Sequence, residues 1–95
     1  MILQVTGQTA IATSKNHFVD KSTGEVKEYY RATFVDKGDP VVLPVTEDVY
    51  NMLSDVLSDE NVRLAICDVD FRVRQYRNKI DIRAIRVYCV NPLEH

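Results

Sequence analysis

The 95-residue chain has no tryptophan, only three glycines, three prolines, two cysteines and two histidines, and no long apolar run. Each shortage closes off a class of protein. So little glycine and proline excludes a low-complexity linker or a collagen-like repeat. Cys67 and Cys89 lack Cys-x-x-Cys spacing, and together with His17 and His95 they form no zinc-binding pattern. Both thiols are therefore expected in the core as small apolar residues. Aliphatic runs such as Val41-Val42-Leu43 stop at three residues, too short to cross a bilayer. The start, Met1-Ile2-Leu3-Gln4, lacks the basic-then-apolar order of a signal peptide, so a cytoplasmic protein without membrane contact is expected.

Signatures of catalysis are equally scarce. There is no glycine-rich phosphate loop, no His-Glu-x-x-His, no Gly-x-Ser-x-Gly and no Ser-His-Asp set. The terminal Leu93-Glu94-His95 reads as the start of a vector-encoded tag, which leaves residues 1–92 as one domain and His17 as the one native histidine. His17, beside Lys15 and Phe18, reads either as a solvated loop residue or as a phosphate or base contact. Asp68 and Asp70 share a strand face, but Arg63 and Arg72 nearby favour surface ion pairs over an acid/base pair or a metal site. No enzymatic activity, cofactor or small-molecule substrate is expected.

What is there is 45% apolar and 27% charged residues, the make-up of an ordinary globular domain with a single modest core. The net charge of −2 hides an uneven distribution. Residues 47–60 hold five acids and no base, whereas residues 61–90 hold seven bases against three acids, a local excess of four. The tightest cluster is Phe71-Arg72-Val73-Arg74-Gln75-Tyr76-Arg77-Asn78-Lys79, with four bases, no acid and an aromatic ring inside it. Distribution, not the total, decides what such a chain attracts.

Periodicity predicts five strands and one helix. Rough alternation over residues 2–13, with an irregularity near Gly7, gives the first strand. The turn-rich Asp20-Lys21-Ser22-Thr23-Gly24-Glu25 leads to a second strand over 26–35, with Lys27, Tyr29, Arg31 and Thr33 on one side and Glu28, Tyr30, Ala32 and Phe34 on the other. A turn at Asp36-Lys37-Gly38-Asp39-Pro40 precedes a short strand over 41–45, whose Pro44 belongs at an edge or a strand end. Thr46 suits a helix N-cap, Glu47 and Asp48 suit the positive end of the dipole, and Val49, Met52, Leu53, Val56 and Leu57 form an apolar face that stops near Ser58. Alternation resumes over 62–73 and 79–90, broken at Ala84-Ile85 in the manner of a bulge.

Among mainly β architectures this order matches the OB-fold, a five-stranded antiparallel Greek-key barrel with one helix between strands 3 and 4. Closure also removes the edges that an open five-stranded sheet would expose. On such a barrel the strand 2 and 3 face and the loops joining strands 1–2 and 4–5 form the binding surface. The first hairpin brings Lys15, Lys21, Lys27, Tyr29 and Arg31 to it, and the second brings Arg72, Arg74, Tyr76, Arg77 and Lys79. Cations along phosphates and rings against bases are what single-stranded nucleic acid requires. The blander readings are a solvated basic face and, for Tyr29, a cross-strand packing role. Tyr30, Phe34 and Phe71 belong to the core, Tyr50 and Tyr88 to structure or an interface, and Tyr76, near a turn tip with little core to fill, to stacking.

Phe71-Arg72-Val73-Arg74-Gln75-Tyr76, followed by Ile80-Asp81 and Arg83, resembles the Phe-basic-Val-x-Gln-aromatic, Ile-Asp-Arg end of the filamentous-bacteriophage single-stranded DNA-binding proteins, the gene V-like family. Phe34-Val35-Asp36-Lys37-Gly38 with Pro40 and Val42-Leu43 is similar to that family's aromatic-Val-Asp-x-Gly turn and following strand. The likeness covers most of the chain up to Val87. It implies an OB-type barrel, a homodimer and cooperative, sequence-tolerant coating of single-stranded DNA in phage or mobile-element replication, within a bacterial host cytoplasm. It also implies Tyr76 as a stacking aromatic and Arg83 as a phosphate contact. The acidic 47–60 segment is longer than the family's and reads as an added helix held away from nucleic acid. Two rivals stand beside this: an RNA-binding OB domain, since nothing in the chain reports on the 2′-hydroxyl, and a protein-interaction module that uses the acidic helix.

Overall fold

A computed structural model describes residues 1–95. Its elements are β1 (Ile2–Val19), β2 (Val26–Asp36), β3 (Asp39–Val45), α1 (Glu47–Leu57), β4 (Val62–Tyr76) and β5 (Lys79–Glu94). Two-residue turns join two of the hairpins. Lys37 and Gly38, at φ +51° and +85°, link β2 to β3 with the left-handed pair that matches strand twist. The β1–β2 turn is held by Asp20, whose carboxylate accepts from the Ser22 amide (2.9 Å) and hydroxyl (2.6 Å). β1 runs past the predicted end to Val19, because residues 14–19 pair with residues 26–31. At the other terminus Leu93 lies opposite Leu64 and Glu94 opposite Val62, so the tripeptide set aside as a tag begins as β-strand.

The strands close in a ring in the order β1-β2-β3-β5-β4. The expected all-antiparallel sheet is corrected here: β3 and β5 meet in parallel, at the single pair Val45–Ala84. Parity requires this. Directions that alternate around a ring of five cannot match at the last contact. The seam is also thin, and the prolines show why. Thr46 donates its amide to the Ala84 carbonyl (3.1 Å), so alternation turns the backbone of Pro40, Val42 and Pro44 toward β5 as well, and two of those three have no N–H to give.

Two bulges fall near the expected places. Thr6 and Gly7 oppose Asp68 alone, and Gly7, at φ +67°, donates its amide to the Asp68 carboxylate (3.1 Å). Ile85 is the extra residue between the pairs Asp70–Arg86 and Phe71–Ala84. A third bulge places Cys89 and Val90 against Cys67. It overturns the expectation of two buried thiols: Cys67 is buried, whereas Cys89, at φ +52°, is rotated out and exposed.

Inside the ring Phe34 and Phe71 meet edge to face with centroids 5.7 Å apart. Ala10, Ala32, Ala65 and Ala84, one on each of four strands, are fully enclosed, and their small side chains leave room for Val49 and Leu53 of α1 in the same core. The helix forms as its sequence dictates, with the Thr46 hydroxyl accepting from the Val49 amide and Ser58 closing the other end. Met52, assigned to the apolar face, is instead 45% exposed, because contact with the sheet narrows to the stripe through Val49 and Leu53. No helix is long and apolar enough to cross a membrane.

Candidate nucleic-acid interface

Register decides which cations share a surface. Cross-strand partners point to the same side of a sheet, so the pairs Ser14–Arg31, Asn16–Tyr29 and Phe18–Lys27 put Arg31, Tyr29 and Lys27 on the outside of the first hairpin. The pairs Arg72–Arg83, Arg74–Asp81 and Tyr76–Lys79 do the same for the second. The two groups join across β3. Pro44 is opposite Arg31, and the Val45–Ala84 bridge sets Pro44 beside Arg83, so one outer face runs from Tyr29 through Arg31 and Arg83 to Arg72.

The electrostatics of this face are unbalanced. The two ion pairs of the molecule are Lys15–Glu28 (3.6 Å) and Lys27–Asp20 (3.2 Å), both in the first hairpin. Arg31, Arg72, Arg74, Arg77, Lys79 and Arg83 thus make no ion pair, although Asp81 across from Arg74 and Glu47 in the hollow shared with Arg31 and Arg83 dilute the charge locally. Arg83 is half-buried and its Nε has no hydrogen-bond partner.

Not every expected residue joins. Lys15 is opposite Tyr30, on the reverse side of the hairpin from Tyr29, and is tied to Glu28. His17 sits in β1 opposite Glu28 on that same reverse side, not in a loop. Lys21 is exposed in the turn, and Lys27 is paired with Asp20. The expected ion pairs of Asp68 and Asp70 do not form: Asp68 caps the Gly7 bulge, and Asp70 accepts from the Tyr88 hydroxyl (3.2 Å), which in turn receives the Gln4 amide.

The aromatic residues divide in the same way. Tyr29 is flanked by Phe18 (centroids 5.9 Å apart) and covered by the Arg31 guanidinium 5.1 Å from its ring centre, so it orients Arg31 instead of standing free. Tyr76 is 67% exposed, with the Arg77 guanidinium 5.8 Å from its centroid, and it borders an open cleft of about 690 Å³ that includes Arg74, Lys79, Ile80 and Met1. Arg77 stands at the hairpin tip with φ +56°.

A second cleft has no counterpart in the sequence pattern. β3 ends at Val45, opposite Tyr30, and the chain leaves through Thr46 into α1, which exposes the edge of β2 from Tyr29 outward. The resulting hollow of about 550 Å³ collects Tyr29, Arg31, Pro44, Glu47 and Arg83, with Glu28 and Tyr30 at its side. Glu47, the first residue of the acidic helix, therefore borders the basic face that the helix was expected to avoid. The Tyr30 hydroxyl donates to Glu28 (2.7 Å), which holds the Glu28 carboxyl below its ordinary value and pushes the Tyr30 phenol up to about 12. A capped helix start directly after a strand was the available signal for Glu47, and the reach of Phe18 follows once β1 is extended opposite Lys27.

No group of three or more His, Cys, Asp or Glu side chains converges anywhere in the molecule. Comparison with protein-family models, with curated proteins and with solved structures finds no match.

Proposed function

We propose that this chain is a non-catalytic single-stranded DNA-binding protein built on an OB-type Greek-key barrel. The observation that carries the reading is the Arg72–Arg83 pair: two like charges directly opposite on adjacent strands, with no acid in ion-pair distance, on an outer face shared with Arg31 and continued along the same hairpin to the exposed ring of Tyr76. Such a pair costs stability in the free protein and is relieved by a polyanion. Tyr76 supplies a ring that any base can stack on, which suits sequence-tolerant coating. The ring order with its one helix between β3 and β4 favours the OB-fold, and the resemblance to the gene V-like family points the same way. The reading extends to a homodimer acting in phage or mobile-element replication in a bacterial cytoplasm. Apolar surface for a second copy is on hand at the ring mouth, where Leu3, Val41 and Ile82 are exposed around a hollow of about 200 Å³.

The test is a titration of the protein into a fluorescently labelled oligo-dT of about 20–30 nucleotides at two salt concentrations, followed by anisotropy, with duplex DNA and RNA as competitors. Salt-sensitive binding that duplex fails to compete supports the proposal. Stronger competition by RNA would transfer the site to RNA, and absence of binding at low salt would make the basic face a solvated one and move the search to protein partners of α1.

A further inference from the structure

We propose that the cleft at the end of β3 is a base-reading subsite that prefers guanine within the bound single strand. The inference rests on the single-strand reading and adds to it one position of local preference. Its first support is charge. Arg31 and Arg83 line the same hollow as Glu47, while the Glu28 carboxylate at its side is taken up by Tyr30 and Lys15. Inside the hollow a phosphate would meet the Glu47 carboxylate as well as the guanidiniums, whereas the outer face around Arg72 stays open to the phosphate backbone. A neutral edge that both donates and accepts is matched on both counts.

The free valences narrow the class further. Glu28 is occupied by the Tyr30 hydroxyl (2.7 Å) and by Lys15 (3.6 Å), whereas Glu47 makes no ion pair and has beside it only the Tyr30 hydroxyl, whose one proton already goes to Glu28. Its carboxylate keeps acceptor positions open. Arg31 and Arg83 are unused donors, and Arg83 keeps a buried Nε without a partner. Alternation along β2 also turns the backbone N–H and C=O of Glu28 toward the side where β3 has already ended. Guanine offers two adjacent donors, N1–H and N2–H, to a carboxylate, and two acceptors, O6 and N7, to a guanidinium. Thymine presents carbonyls beside its one N–H and would set an oxygen against Glu47. Stacking is available too, because Arg31 is held over Tyr29 at 5.1 Å and guanidinium planes stack on bases.

The experiment compares oligo-dT with the same oligomer carrying a single central guanine, adenine, cytosine or hypoxanthine, by competition anisotropy at one salt concentration. The guanine oligomer is expected to bind roughly tenfold tighter than oligo-dT, the scale of one good bidentate contact. Hypoxanthine, which lacks the N2 amine, should lose most of that advantage. Glu47→Gln should abolish the guanine-to-thymine ratio, while Asp48→Asn, in the same helical turn but outside the cleft, should keep it. Equal binding of all five oligomers, or a ratio that survives Glu47→Gln, overturns the subsite and leaves the single-strand reading intact. Failure of every oligomer to bind at low salt overturns the single-strand reading and the subsite with it.

Discussion

Arg72 and Arg83 stand directly opposite each other across β4 and β5, and neither has an acidic partner within ion-pair distance. Like charges in that position destabilise a sheet by about 0.2–1 kcal/mol. Arg72→Gln should therefore raise the thermal stability of the free protein at low salt, by an amount that shrinks as salt screens the pair. The same change should weaken single-strand binding and flatten its salt dependence by about 0.7 in the log–log slope, the share of one phosphate contact. Melting curves and binding isotherms across salt read both effects. A lower melting temperature with an unchanged salt slope would remove Arg72 from the interface.

Tyr76 separates stacking from stability. Its ring is 67% exposed at the end of β4, outside the core, so Tyr76→Ala should change the unfolding midpoint little. Binding to any base sequence should weaken by about 1–3 kcal/mol, and Tyr76→Phe should restore most of it, because stacking needs the ring and not the hydroxyl. Full affinity in the alanine variant would assign the ring a different purpose.

The two thiols should react as unlike residues. Cys67 is buried, its Sγ lies 3.7 Å from the Gln8 carbonyl, and burial with Asp68 beside it pushes its pKa to about 11. Cys89 is exposed at the bulge. At pH 8 a thiol-specific reagent should modify Cys89 quickly and reach Cys67 only on the timescale of unfolding, since the thiolate is the reactive form. Mass spectrometry of peptides assigns the order, and equal rates would contradict the bulge geometry.

These residues also mark how far the sequence could be read. Alternation in β4, the Thr46 cap and the breaks at Gly7 and Ala84-Ile85 were all legible, because each is a local signal with a local cause. The parallel β3–β5 contact leaves no local signal, although an odd ring demands it, because it joins strands with a helix and a strand between them. Cys89 looked like an inward residue until a bulge shifted the face of everything beyond it. Lys15 shows the same effect in the candidate site. With β1 ended at Thr13 its side was undefined, and pairing through to Val19 turns it away from Tyr29. Glu47 was assigned to an acidic face as one of a run, whereas its position as the first helical residue brings it to the end of β3.

Acid should loosen the outer end of the first hairpin before the core. Hydrogen bonds from Ser22 and the nearby Lys27 hold the Asp20 carboxyl below its ordinary 3.8, and Tyr30 and Lys15 hold Glu28 below its ordinary 4.5. Lowered folded values mean that the contribution is fully present above the ordinary ones and is lost as pH falls through the lowered ones. The Ser22 amide signal in NMR should thus titrate with a midpoint under 3.8, and Asp20→Asn should remove that titration. A midpoint at or above the ordinary value would show that the turn is not held by Asp20.

Leu53 and Met52 are adjacent on α1 and were assigned to the same apolar face, yet one is fully enclosed and the other is 45% exposed. The difference sets the scale of two substitutions. Leu53 is one of the largest fully buried side chains, packed with Val49 among the ring alanines, and those alanines have no long side chains to fall into a void. Leu53→Ala should therefore cost about 2–5 kcal/mol, the lost transfer energy plus an uncollapsed cavity. In a chain this small that is a large share of the total stability. Met52→Ala removes mostly solvated surface and adds a better helix former, so its effect should stay within about 0.5 kcal/mol. Urea unfolding of both variants measures the contrast, and the helix is the ring's plug only if the two differ by more than the error of the extrapolation.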